Sequence, residues 1–173
     1  MRWHAFAILA YVFIGLQMSA LPEALPWKPV PNFVLLAVVF LALNAPREPA
    51  LLGCFLLGLA QDICTIGPIG THAFAYGVAA MFIVSNQSQT SRDHPLTHFV
   101  VTLMAGLLTG VFLFVHDLVR RTRAIVVIDE LLGVLYTAGL AILVLGILQR
   151  MRGLFGFKHR QATLALRGRF ADI

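Results

Sequence analysis

Six apolar runs, separated by short polar or proline-bearing stretches, divide this 173-residue chain. They fall at about residues 5–21, 30–45, 50–66, 71–85, 97–118 and 128–148. A helix that crosses a bilayer needs about 20 such residues at 1.5 Å rise. The fifth and sixth runs meet that length, whereas the second to fourth are short and call for tilt, burial in protein or locally thinned lipid. The pattern predicts an all-α membrane protein, a bundle of six transmembrane helices forming one domain over residues 1–150, followed by a basic cytoplasmic tail over residues 151–173. The first run follows Arg2 and ends near Met18, Ser19 and Ala20. Met18 is too bulky for the small-x-small site of a cleaved leader, so this run is read as a retained first span.

The connections carry their own signals. "LPEALPWKPVP" holds four prolines and Trp27, which suits an extended turn at a membrane interface. "NAPREP" sets Arg47 and Glu48 between prolines and predicts a tight break between helices. "SNQSQTSRDHPLTH" is the longest polar stretch and reads as a surface loop before the fifth span.

Composition agrees with the pattern. Hydrophobic residues make up 59% of the chain and charged residues 12%, against ~25% charged in a typical soluble domain. The formal charge is +5, and six of the 13 Lys and Arg fall in residues 150–169. A basic stretch directly after an apolar span anchors to anionic headgroups on the cytoplasmic side, and it carries no nucleic-acid-binding motif. With the N-terminus inside, the inner side carries nine Lys and Arg and the outer side four. Leaving out Arg167 and Arg169, which lie far from the last span, makes it seven against four. Both termini are therefore expected in the cytoplasm. The cluster Arg120, Arg121 and Arg123 falls on the outer side and runs against this bias.

Chemistry concentrates in "GLAQDICTIGPIGTHAFAY", residues 58–76. Gly58 and Asp62 lie four apart on one helix face, as do His72 and Tyr76. The turn through Gly67, Pro68 and Gly70 folds these faces towards each other near the outer membrane boundary. Asp62 would then accept from His72 or from the exposed N–H groups that begin the fourth helix. A carboxylate at that depth requires a partner. Two roles stay open for it, a polar clasp on a helical hairpin and a functional intramembrane charge. The cysteines, Cys54 and Cys64, lie ten residues apart, ~15 Å along a helix, too far for a disulfide with each other, and are read as small packing residues.

Nothing points to catalysis. None of the four serines, Ser19, Ser85, Ser88 and Ser91, sits in a nucleophile-elbow context. There is no His-Glu-x-x-His pattern, no metal-ligand spacing and no phosphate- or dinucleotide-binding glycine motif, so neither metal nor cofactor is expected. The fifth span holds Gly106 and Gly110 in a G-x-x-x-G relation, and the sixth Gly133, Gly139 and Gly146. Such glycines let helix backbones approach closely, either within the bundle or against a partner. Asp117 with Arg120 and Arg121, and Asp129 with Glu130, are charges that complement helix ends.

The arrangement Gly58-x-x-x-Asp62, then Pro68, then Gly70-x-His72-Ala73, resembles the central hairpin of the rod shape-determining protein MreD family. "VPNFVLLAVVFLAL" is similar to that family's second span, which commonly opens on Pro followed by Asp or Asn. The resemblance covers residues 31–148 and is sharpest over 58–76. Gln61 and Cys64 stand where leucine is more usual, which speaks against a hairpin facing lipid alone.

The resemblance implies a non-enzymatic inner-membrane subunit of the bacterial elongation machinery. Its implied partners are MreC, and through it the MreB filament and the glycosyltransferase–transpeptidase pair that builds lateral peptidoglycan, with membrane lipids around it and a homodimer as a further possibility. It also implies a fold similar to the six-helix substrate-binding subunits of energy-coupling-factor transporters. Gly58, Asp62, Pro68, Gly70, His72 and Tyr76 are then the structural or partner-binding hairpin, and Gly106 and Gly110 the packing pair. A reading of another class is a small-molecule-binding transporter subunit with a pocket near Asp62 and His72.

Overall fold

A computed structural model describes residues 3–20, 31–65, 68–86, 94–120, 127–151 and 153. Those residues form six α-helices and no strand: α1 (Trp3–Gly15), α2 (Phe33–Asn44), α3 (Arg47–Cys64), α4 (Thr71–Ser85), α5 (Pro95–Arg120) and α6 (Val127–Arg150). A π-helical turn, Leu16–Ala20, extends α1. The basic tail apart from Met151 and Gly153, together with Arg121, Arg123 and Trp27 and the side chains of Asp117 and Asp129, lies outside the described residues.

The helix ends follow local chemistry. α2 starts where the Asn32 side chain accepts from the Leu35 N–H, and it stops before Pro46, which cannot continue an α-helical ladder. The break between α2 and α3 is shorter than the sequence suggested. Arg47, Glu48 and Pro49 form the first turn of α3 instead of separating the helices. Proline is tolerated there because first-turn N–H groups lack intrahelical acceptors anyway, and Glu48 complements the positive end of the helix. α4 begins after Gly70, whose φ of 106° lies in the left-handed region that favours glycine.

α2 is the axis of the bundle and touches each of the other five helices. From Val34 to Asn44 every residue is buried, as expected of a helix that is apolar on all sides. The chain folds around it as two hairpins, α3 on α4 and α5 on α6, with α4 against α5.

α5 and α6 reverse the inside–outside pattern of a soluble protein. Much of their inward faces is small or weakly polar, with His98, Thr102, Ala105 and Thr109 on α5 and Thr137, Ala138 and Ala141 on α6, although Leu145 and Leu148 are buried too. Their outward faces carry Val100, Met104, Val111, Val115, Leu135, Leu143 and Ile147, all exposed. Large apolar side chains outside and small ones at the seams suit a lipid environment, where close packing replaces the hydrophobic drive. Two helical stretches, Leu96–Arg120 and Glu130–Arg150, are long and apolar enough to cross a membrane. Trp3–Met18, Phe33–Asn44 and Thr71–Ser85 are apolar but shorter. Both cysteines are free; Cys54 is buried against the Val38 carbonyl, whereas Cys64 is exposed and so does not pack as the sequence suggested.

Candidate functional site

The α3–α4 hairpin brings the polar residues of "GLAQDICTIGPIGTHAFAY" together. α3 closes at Thr65, whose N–H and hydroxyl both donate to the Gln61 carbonyl. The chain then turns through Pro68, whose carbonyl accepts from the Thr71 hydroxyl at 2.9 Å. The first turn of α4 therefore points its unpaired N–H groups back at the last turn of α3. That is where Asp62 stands.

Asp62 is 3% exposed, and both its oxygens are fully engaged. Oδ2 accepts from the backbone N–H of Gly70 at 2.8 Å and of Ala73 at 3.1 Å. Oδ1 accepts from the His72 N–H at 3.0 Å and faces the His72 Nδ1 at 2.8 Å. The carboxylate thus does for α4, from another helix, what an N-cap side chain does locally, and its charge sits at the favourable end of the helix dipole. A carboxylate has about four lone-pair sites. Three backbone N–H groups and the His72 ring occupy them.

Gly58 makes this grip possible. A Cβ on Gly58 would lie 2.5 Å from the Ala73 Cα and 2.6 Å from the His72 carbonyl oxygen, so α3 and α4 meet backbone to backbone one turn below Asp62. His72 lies edge-on to Tyr76, with ring centroids 6.0 Å apart. Phe74, on the outer side of α4, rests on Phe112 of α5 at 5.0 Å.

Tyr76 extends the cluster into the core. Its buried hydroxyl donates to Gln61 Oε1 at 2.7 Å and accepts from Asn32 Nδ2 at 2.8 Å. The Asn32 N–H donates to the Thr137 hydroxyl at 2.9 Å, and the Phe33 N–H to Gln17 Oε1 at 2.7 Å. The N-terminus of α2 is therefore satisfied by Asn32 itself, by Thr137 on α6 and by Gln17 after α1. Both short helices, α2 and α4, have orphan N–H groups at their N-termini capped by side chains from elsewhere in the chain.

Gln61, Asn32, Thr137 and Gln17 were not singled out as site residues. Gln61 stands out only as a polar residue where leucine is usual, and Asn32 only as the Asn after Pro31 that opens the second span; Thr137 and Gln17 give no sequence signal. Tyr76→Phe removes one hydroxyl and leaves Gln61 Oε1 and Asn32 Nδ2 without this partner. A loss of about 1–3 kcal/mol is expected, read as a lower unfolding midpoint in mixed micelles; an unchanged midpoint would show that the hydroxyl bridge carries no weight.

The glycine pair of α5 divides. A Cβ on Gly106 would come within 2.7 Å of Val134 Cγ1, so Gly106 lies in the α5–α6 seam, whereas one on Gly110 would meet nothing within 4 Å. Both glycines line a cleft of about 170 Å³ between α5 and α6. Neither Asp62 nor His72 lines that cleft or a second, apolar one between Phe82 and Met104. Among the described residues no group of three or more His, Cys, Asp and Glu is placed to hold a metal.

Comparison with known families gives one match. The family model described as rod shape-determining protein MreD aligns with residues 1–151 of the chain. No curated protein and no solved structure matches it.

Proposed function

Because the chain belongs to the rod shape-determining protein MreD family, we propose that it is a multi-pass inner-membrane subunit of the cell-elongation machinery that binds MreC and so supports lateral peptidoglycan synthesis. Through MreC it works beside the MreB filament and the glycosyltransferase–transpeptidase pair. It performs no chemistry of its own. The observation that carries this reading is the saturated Asp62 carboxylate. Four contacts saturate the carboxylate and fix the hairpin, which suits a rigid surface for a partner. Purification from native membranes tests it: MreC is expected among the co-purifying proteins, and its absence under conditions that retain the intact protein overturns the reading.

The proposal includes six spans with both termini in the cytoplasm, supported by the nine-to-four bias of Lys and Arg. α1 to α4 then cross with their neighbours' help, since a 12-residue helix such as α2 reaches only about 18 Å. In intact cells, an impermeant thiol reagent is expected to label a cysteine introduced within residues 23–28 and to spare one at Lys158. Labelling at Lys158 would reverse the topology. A bundle like that of the energy-coupling-factor substrate-binding subunits belongs to this proposal on the family resemblance alone. Neither of the two clefts described above is lined by Asp62 or His72, so neither supports the transporter-subunit alternative.

A further inference from the structure

We propose that the outward face of the α3–α4 hairpin is a lipid-contact surface that holds the bilayer about 6–8 Å thinner than its usual hydrocarbon depth, so that lipids with short acyl chains collect against it. This rests on the six-span reading above. The short apolar runs allow tilt, burial in protein or thinned lipid, and the bundle decides between them. α2 is enclosed by the other helices, so no lipid has to match its length. α3 and α4 are not enclosed: Leu52, Phe55 and Ile63 on α3, and Phe74, Val78 and Phe82 on α4, are exposed. Tilt gives no relief, because inclining a helix shortens its reach across the membrane. Thinned lipid remains.

Helix lengths set the amount. α3 has 18 residues, but Arg47 and Glu48 stand exposed in its first turn. The rest of the helix reaches about 24 Å. α4 has 15 residues and reaches about 22 Å. Its far end is marked by Ser85 and Asn86, both polar and exposed. A bilayer's hydrocarbon is about 30 Å thick. α5 and α6, with 26 and 24 residues, reach about 39 and 36 Å and fit it by leaning. The bundle is therefore short on one side only. Side-chain size identifies the occupant of that side. Helix seams in lipid are built from small residues, whereas this face presents leucine, isoleucine, valine and phenylalanine, and the glycines of α3, Gly53 and Gly58, are buried. Acyl chains cover it, and they match it only where they are short.

The test reconstitutes the full chain in vesicles of 18-carbon phosphatidylcholine, about 30 Å thick in hydrocarbon. Spin labels are placed on the exposed Cys64 and, in a Cys64→Ala background, on Ser85→Cys; Cys54 is buried. Collisions with oxygen and with a water-soluble nickel complex report depth. Both labels are expected at the polar boundary although α4 separates them by only about 22 Å. In a bilayer of uniform thickness one of the two must sink about 4 Å or more into hydrocarbon, and that result overturns the inference while the six-span reading stands. In vesicles that mix 14- and 22-carbon lipids, a label at Val78→Cys is expected to meet the short-chain lipid about twofold more often than one at Leu143→Cys on α6. Equal contact at the two sites overturns the preference, and a Val78→Cys label reached by neither oxygen nor lipid shows a second copy on the face and overturns it too. Should an impermeant thiol reagent reach both Cys64 and Ser85→Cys from outside intact cells, the six-span reading falls and the inference with it.

Discussion

Gly58→Ala is expected to part the α3–α4 hairpin and to lower stability by about 3 kcal/mol, the upper end of what one added methyl group costs in a packed seam. The three atoms it would meet, at 2.5, 2.6 and 2.7 Å, all belong to the backbone of Ala73 and His72. No side chain there can rotate away. Carbon atoms in comfortable contact sit about 3.5–4.0 Å apart, so the helices must separate by roughly 1 Å or more. That displacement also stretches the bonds from Asp62 to Gly70, His72 and Ala73, because they lie one turn further along the same seam. Reversible unfolding in mixed micelles measures the loss, and a wild-type midpoint in the alanine variant would remove backbone approach as the reason for glycine.

Asp62→Ala is expected to cost at least as much. Each donor left without its acceptor carries about 1–3 kcal/mol, and three backbone N–H groups and the His72 ring lose theirs together. Asp62→Asn keeps one carbonyl oxygen but turns an amide towards N–H donors, so it rescues little. The expected phenotype is a lower protein level and loss of rod shape, with no missing reaction product. Normal level, partner binding and cell shape would make Asp62 dispensable. Since both substitutions act on one seam, their effects in the double variant are expected to fall short of the sum.

The hairpin was legible because its signals are local. Gly58, Asp62, Gly70 and His72 lie within fifteen residues around a Gly/Pro turn, and helical spacing alone places them on facing surfaces. The six helices were legible for the same reason, as uninterrupted apolar runs. The hub at Asn32 was not, because its partners Tyr76 and Thr137 lie 44 and 105 residues away. Nor does α2 announce its central place. A helix apolar all round has no face to read, and only the packed bundle shows which run is enclosed. The start of α3 was misplaced because Pro46 and Pro49 look alike in sequence, although one stops a helix and the other sits in a first turn.

The bond from Asn32 to Thr137 also sets a clock. The two residues are 105 positions apart, and chains are made at about 5–20 residues per second. The N-terminus of α2 therefore exists for roughly 5–20 s before the hydroxyl that receives it has been synthesised. Over that interval the Asn32 N–H must find another acceptor, while both partners of the Gln17 cap on Phe33 have already been synthesised. α2 is second in order of synthesis but among the last elements to reach its final surroundings. A nascent chain halted before residue 137 carries all of α2 and lacks the acceptor that closes its end.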